Sequence, residues 1–128
     1  MKLLLDTHIW LWTFVQPARL GKRVHAEFLN PDNELWLSPI SLWEALLLQR
    51  KKRIQVPPQL DQWWLDAARR FIEAPLTHEI VLAANQLPLP GDPADRFLAA
   101  TAKVLGLTLV TADERLLGLG DIATLANR

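Results

Sequence analysis

The sequence predicts an α/β fold with a mainly parallel central sheet of four or five strands, formed by residues 1–128 as a single domain. Short apolar runs alternate with segments of helical periodicity along the chain, and no repeat or linker interrupts this alternation. Half of the 128 residues are apolar, so the chain can bury a core of the size that one domain requires.

In the first half, residues 2–5 are an apolar run typical of a buried strand, and residues 9–14 suggest a short helix. Residues 20–29 have helical spacing and precede a turn at residues 30–33. A second strand is expected at residues 34–37. The following helix extends to about residue 52, because Ser38 is a good cap and Pro39 fits the first helical position. Residues 54–56 are expected to be a short extended piece.

In the second half, we expect a helix over residues 59–71, a strand at residues 71–76 and a helix from Thr77 or His78 to about residue 85. Asp92 and Pro93 are suited to begin the next helix, and Gly106 is suited to end it. A strand at residues 107–110, one helical turn at residues 114–117 and an edge strand at residues 122–125 complete the prediction. Asp6 and Asp113 follow strands, at the sheet edge where such folds bind ligands.

Composition excludes several classes of protein. The chain has no cysteine, which rules out a disulfide framework, a cysteine nucleophile and cysteine-based metal sites. Its formal net charge is zero, which argues against sequence-blind coating of nucleic acid. No apolar run approaches the roughly 20 residues that span a bilayer, and an early acid is unlike a secretory leader. We therefore expect a cytoplasmic protein that is not associated with a membrane.

Four acidic residues are candidates for a common site, although each also has a structural explanation. Asp6 and Asp113 follow strands and are suited to cap helices. Glu44 ends a capping-box motif that begins at Ser41, but with Ser38 as the cap it lies in an apolar part of the helix, where a lone acid is costly to bury. Asp95 lies in the first turn of a helix, where the helix dipole favours a negative charge.

Taken together, these acids predict a divalent-metal site, which is typical of a nuclease. Clustered carboxylates repel one another, and bound cations such as Mg²⁺ or Mn²⁺, which prefer hard oxygen ligands, remove the repulsion. Such sites activate water and stabilise a phosphodiester during its hydrolysis. Two alternatives stay open from the residues alone: a metal-free binding module whose acids only cap helices, and a hydrolase with Asp6 as nucleophile. His8 argues against the second, because haloacid-dehalogenase-like enzymes usually have another Asp at that position.

Four segments resemble the PIN-domain family, and more closely its VapC-type toxins. They are residues 5–12 (LDTHIWLW), 41–44 (SLWE), 92–96 (DPADR) and 109–113 (LVTAD), and they agree in order and spacing along nearly the whole chain. The resemblance implies a three-layer α/β/α sandwich. It also implies a Mg²⁺- or Mn²⁺-dependent endoribonuclease, usually dimeric and held inactive by a small antitoxin.

The resemblance assigns the family's metal-binding and catalytic acids to Asp6, Glu44, Asp95 and Asp113, and its conserved hydroxyl to Thr111. The implied reaction is attack on an RNA phosphorus by a water that the metal activates. Arg96 is expected either to contact phosphate or to pair with an acid. For His8, packing or helix capping is favoured over contact with phosphate. Two positions depart from the family: Pro90 replaces a frequent His, and Ala94 a frequent Phe.

The six tryptophans suggest both a core and a partner surface. Trp63 and Trp64 are adjacent on a predicted helix and point about 100° apart, so both cannot face one core. We expect residues 50–70, which include the basic run at residues 50–53, to contact an antitoxin or a second copy, with stacking on an RNA base as the alternative. The other four are expected in the core: Trp10, Trp12, Trp36 and Trp43.

Overall fold

The computed structural model describes residues 1–54, 61–89 and 91–128. Its strands are β1 (Lys2–Leu5), β2 (Glu34–Leu37), β3 (Ile72–Glu73), β4 (Thr108–Thr111) and β5 (Ala123–Ala126). Its helices are α1 (Thr7–Trp12), α2 (Lys22–Leu29), α3 (Pro39–Arg50), α4 (Asp61–Ala68), α5 (His78–Gln86), α6 (Pro93–Leu105) and α7 (Glu114–Leu117), with a 3₁₀ turn at Pro17–Arg19. Residues 55–56 of the predicted extended piece, residues 59–60 of the predicted fourth helix and Pro90 lie outside the described residues.

The five strands form one sheet in the order β3-β2-β1-β4-β5, and every neighbouring pair is parallel. The predicted parallel sheet is therefore confirmed, with the last strand at an edge as expected. The central strand β1 is fully buried at Leu3, Leu4 and Leu5, which explains why its sequence is a continuous apolar run. The third strand is only two residues long, so the prediction within residues 71–76 was too extended.

Helices cover both faces of the sheet, which confirms the expected three-layer sandwich. On one face, Leu4 and Leu109 pack in a core cluster with residues of α5, α6 and α7. On the other face, Leu3 and Leu5 pack with residues of α1, α2, α3 and α4. Successive side chains of a strand point to opposite faces, so β1 contributes to both clusters. Among the described residues, no helix is long and apolar enough to cross a membrane.

The helix ends that surround the carboxyl edge of the sheet are capped by the residues that the sequence predicts. Ser38 Oγ accepts a hydrogen bond from the Ile40 backbone N at 3.1 Å, and Asp92 Oδ1 accepts one from Ala94 N at 3.0 Å. The alternative capping box at Ser41 does not form. The Ser41 hydroxyl is buried inside α3 and instead accepts a hydrogen bond from the Thr7 hydroxyl at 3.0 Å.

Two predictions about the tryptophans have different outcomes. Trp43 was expected in the core, but it is 56% exposed, because Ser41 and Ala45 occupy the buried side of α3 and Trp43 points away from it. The prediction that adjacent tryptophans cannot both be buried is confirmed, since Trp64 is 2% exposed and Trp63 is 36% exposed. Trp10 is fully buried, and Trp12 and Trp36 are half-buried.

Candidate active site

A cavity of about 320 Å³ lies at the carboxyl ends of β1 and β4, and all four predicted acids line it. Parallel pairing explains how Asp6 and Asp113 meet there. Leu5 pairs with Val110, so the residues that follow both strands emerge at the same edge of the sheet. Helices α3 and α6 bring Glu44 and Asp95 to the same cavity. His8 of α1 and Arg115 of α7 also line it.

Asp6 has both carboxylate oxygens fixed by hydrogen bonds. Its Oδ1 accepts from the Thr7 backbone N at 2.7 Å, which caps α1, and its Oδ2 accepts from the Thr111 hydroxyl at 2.7 Å. The side chain is buried, and this burial raises the pKa of Asp6 although the Thr111 hydrogen bond lowers it. Asp6 is therefore both a helix cap and a desolvated acid of the cavity.

Thr111 connects two of the acids. Its hydroxyl donates to Asp6 Oδ2 and accepts a hydrogen bond from the Asp113 backbone N at 3.0 Å. The residue is fully buried at the end of β4. The hydroxyl therefore orients the Asp6 carboxylate and fixes the start of the loop that carries Asp113.

Glu44 lies on α3 and is half-buried at the cavity. Burial raises its pKa to about 7, the neighbouring Asp92 carboxyl adds to the increase, and the Thr7 hydroxyl opposes it. Asp92 thus has two structural roles, because it also caps α6. A proton on Glu44 near neutral pH relieves repulsion between acids that share a confined space.

Asp95 is the third residue of α6, as the sequence predicts, and its side chain is 13% exposed. Burial raises its pKa to about 6, and the negative charges of Asp6, Asp92 and Asp113 contribute, whereas Arg115 opposes the increase. Three acids of this cavity thus have raised pKa values: Asp6, Glu44 and Asp95. Such shifts are frequent at functional sites.

Arg115 is the residue of this site that reasoning from the sequence missed. Its Nη2 lies 2.9 Å from Asp95 Oδ2 and 2.9 Å from Asp113 Oδ2, so one guanidinium joins α6 to α7. The hydrogen bond from the Arg115 side chain lowers the pKa of Asp113, whose Oδ1 also caps α7 by accepting from the Arg115 backbone N at 2.9 Å. The only sequence signal was that Arg115 stands two residues after a candidate ligand.

The donor set fits Mg²⁺ or Mn²⁺ in its chemistry, since it consists of carboxylates and a hydroxyl and includes no cysteine. The raised pKa values of Asp6, Glu44 and Asp95 also show that the surrounding positive charge does not offset their burial, and a bound cation would supply such charge. The side chains are not arranged as ligands, however: within the described ranges, no three His, Cys, Asp or Glu side chains could hold a metal ion as they stand. Metal coordination by the four acids stays a prediction.

Arg96 and His8 flank the site without an established role. Arg96 does not pair with one of the acids in any described contact, and its Nε donates to the Leu89 carbonyl at 2.6 Å, which holds the loop before α6. His8 is exposed at the cavity, and its ring centroid lies 6.2 Å from that of Trp12. This hydrogen bond gives Arg96 a structural role, which is neither the phosphate contact nor the ion pair that the sequence suggested.

The parallel sheet and its flanking helices place four acids in one cavity. These features define an α/β protein with a carboxylate site at the carboxyl edge of its sheet. The family model described as "PIN domain" matches residues 3–121, and the chain belongs to this family. The chain is similar to Ribonuclease VapC22 of Mycobacterium tuberculosis (strain ATCC 25618 / H37Rv), with 36% identity over 115 residues that cover 88% of each chain.

Solved structures agree with this fold assignment. VapBC2 from Rickettsia felis, bound to a DNA fragment from its promoter, superposes with a TM-score of 0.72 at 16% identity and covers 98% of each chain. A toxin–antitoxin complex from Klebsiella pneumoniae superposes with a TM-score of 0.67 at 20% identity, again over 98% of each chain. At these identities, the two likenesses show the fold alone.

Proposed function

We propose that this protein is a metal-dependent endoribonuclease and the toxin of a toxin–antitoxin pair. The observation that carries the proposal is the cavity at the carboxyl ends of β1 and β4, where Asp6, Glu44, Asp95 and Asp113 meet. Membership of the PIN-domain family and 36% identity to a protein named Ribonuclease VapC22 support it. An RNA substrate would be met in the cytoplasm, which is the location that we propose.

The four acids would hold Mg²⁺ or Mn²⁺. When bound, such an ion would supply the positive charge that activates water and stabilises a phosphodiester under attack. The contribution of the chain itself is positional. Thr111 fixes one oxygen of Asp6. Arg115 pairs with Asp95 and Asp113 in the metal-free protein. The partly dry cavity strengthens the electrostatic interactions inside it.

Removing one acid at a time tests this proposal. Asp6→Asn and Asp95→Asn remove charge with little change in shape, so we expect at least about a tenfold loss of RNA cleavage, since even indirect damage to a metal site costs this much. Cleavage of a labelled RNA is measured with Mg²⁺ and with Mn²⁺. Lys103→Ala, which removes an exposed ion pair to Asp121, is the matched control and should cleave normally.

Calorimetric titration with Mn²⁺ separates the proposal from a metal-free binding module. We expect heat of binding for the unsubstituted protein and a clear loss of it for Asp6→Asn. If both asparagine variants cleave RNA fully, or if metal binding does not depend on Asp6, the proposed function is wrong.

We further propose that the protein binds a small antitoxin and forms a homodimer. The likeness of fold to a chain of a toxin–antitoxin complex from Klebsiella pneumoniae supports an antitoxin partner. Trp63 on α4 is 36% exposed, and its ring packs on Phe14 with centroids 5.5 Å apart, so it presents a rigid aromatic surface to a partner. This region lies within residues 50–70, where the sequence predicts a partner contact.

A further inference from the structure

A second, larger groove opens directly beside the cavity that holds the four acids. Its volume is about 760 Å³, and it shares His8, Trp12, Glu44 and Asp92 with that cavity. The shared residues place the two spaces side by side. Away from the shared residues, the groove is lined by the cationic side chains of Arg19 and Arg53, so its charge changes from negative to positive along its length.

The groove is lined by a platform of flat side chains, formed by Trp12, Arg19 and His8. The guanidinium carbon of Arg19 lies 4.3 Å from the centroid of the Trp12 ring, which is a cation–π contact. The ring of His8 lies beside Trp12 on the side of α1 that reaches the acids, with centroids 6.2 Å apart. Flat groups of this kind accept stacked nucleobases regardless of base identity.

The main chain of Arg19 is held by two hydrogen bonds, and its guanidinium rests on Trp12. The Arg19 N donates to the Gln16 carbonyl at 3.0 Å, and the Arg19 carbonyl accepts from Asn127 Nδ2 at 2.9 Å. The ion pairs in the described parts of the chain involve only Lys103 and Arg115 as cations. Arg19 and Arg53 thus have no acidic partner there, and their charges are available to an anion.

We propose that this groove binds the single-stranded RNA that leads to the scissile phosphate, with Trp12 and Arg19 stacking a base and Arg19 and Arg53 contacting phosphates. The inference rests on the proposed ribonuclease function and names the surface that presents its substrate. An acidic segment of a protein would use the same two arginines. The stacking platform and its position beside the acid cavity favour a nucleotide chain instead.

Direct binding tests the proposal without depending on catalysis. The probe is a fluorescein-labelled single-stranded RNA of mixed sequence, and its anisotropy is measured in an Asp6→Asn background so that the probe stays intact. Arg19→Ala and Arg53→Ala should each weaken binding and reduce the slope of log K against log salt by about 0.7, the value for one lost phosphate contact on a single strand. Arg69→Ala removes an equally exposed arginine that lines a separate cavity, and it should change neither quantity.

Substitutions of Trp12 test the platform itself. Trp12→Leu keeps an apolar side chain but removes most of the stacking surface, so binding should weaken by about fivefold or more, whereas Trp12→Phe should bind within about twofold of the parent protein. Circular dichroism of both variants confirms that they are folded. Equal affinities of the Leu and Phe variants would contradict stacking on Trp12.

Two further outcomes would overturn the proposal. In the first, Arg19→Ala and Arg53→Ala leave the RNA affinity and the salt slope unchanged, although Asp6→Asn and Asp95→Asn lose cleavage. Only the groove assignment then fails. In the second, the two arginine variants lose as much affinity for a poly-glutamate peptide as they lose for RNA. The groove would then be a general site for acidic polypeptides. Failure of the ribonuclease proposal is recognised separately, by full cleavage in the two asparagine variants.

Discussion

Asp6 shows that one carboxylate can cap a helix and also line the cavity of the four acids. One oxygen accepts a backbone N–H of α1, and the other is fixed by Thr111 at 2.7 Å. Asp113 behaves similarly, since it caps α7 and also pairs with Arg115. The sequence offered capping and metal binding as alternatives for both residues, but a carboxylate has enough lone pairs to accept several partners.

The raised pKa of Glu44 predicts a pH-dependent stability at the residue scale. Its ordinary pKa is 4.5 and its pKa in the folded protein is about 7, so the folded state binds this proton more tightly. Stability from this group is present below pH 4.5 and is lost as pH rises to about 7. Glu44→Gln should therefore stabilise the metal-free protein at pH 8 by an amount on the order of 1 kcal/mol, with allowance for partial exposure, and change it little at pH 4.5.

Urea denaturation with a chelator present, at both pH values, measures this effect. Glu73→Gln, on the exposed edge strand β3, is the control and should leave the difference between the two pH values unchanged. A Glu44→Gln protein that is less stable than the parent at pH 8 would mean that ionised Glu44 stabilises the fold.

At the scale of elements, the site depends on how α6 and α7 start. Asp92 and Asp113 cap these helices, and Pro93 occupies the first position of α6, which places Asp95 in the first turn. Gly106 ends α6 in a left-handed conformation with φ +66°, which suits glycine because it has no Cβ. Arg115 then links the two helix starts through Asp95 and Asp113.

This link predicts that Arg115 competes with metal. Its guanidinium contacts Asp95 Oδ2 and Asp113 Oδ2, which are oxygens that a bound cation would need. We therefore expect Arg115→Ala to bind Mn²⁺ more tightly than the parent protein in calorimetric titrations. Lys103→Ala, which removes an exposed ion pair with an N–O distance of 3.5 Å, should bind Mn²⁺ normally. Weaker binding by Arg115→Ala would show that the guanidinium organises the acids rather than competing for them.

For the whole molecule, the aromatic residues between α1 and α4 divide into a buried part and a surface part. Trp64 packs against Trp10 with ring centroids 6.0 Å apart, and its Nε1 donates to Gln49 Oε1 at 3.2 Å. Trp63 meets Trp64 edge to face at 5.0 Å, on the outside of the same cluster. One pair of adjacent residues is thus divided between the core and the surface that we propose for a partner.

Alanine substitutions at these two positions should have different consequences. Trp64→Ala removes a buried aromatic ring and should lower the free energy of unfolding by about 3–5 kcal/mol. Trp63→Ala should lose only about 1 kcal/mol, from its edge-to-face contacts, and stay folded. It should nevertheless weaken the complex with the co-expressed antitoxin, or the homodimer, as measured by light scattering. If Trp63→Ala alters neither assembly, the partner surface lies elsewhere.

Much of the fold could be predicted because the relevant signals are local. The apolar run of β1, the cap at Ser38 and the Asp92-Pro93 helix start are all read from neighbouring residues, and the structure contains each of them. Trp43 was placed wrongly because apolar residues lie on most sides of α3, so helical periodicity does not identify a unique buried face. The shortness of β3 likewise depends on pairing with β2, which is a non-local interaction.

The sequence by itself determined the order of elements, the family and the identity of the four acids, since these depend on residue types and spacing along the chain. The tertiary structure alone decided that these acids line one cavity, that Arg115 bridges two of them and that Trp12 and Arg19 form a platform beside them. The reason is physical: each of these contacts joins different secondary-structure elements, and their geometry exists only once the parallel strands are in register.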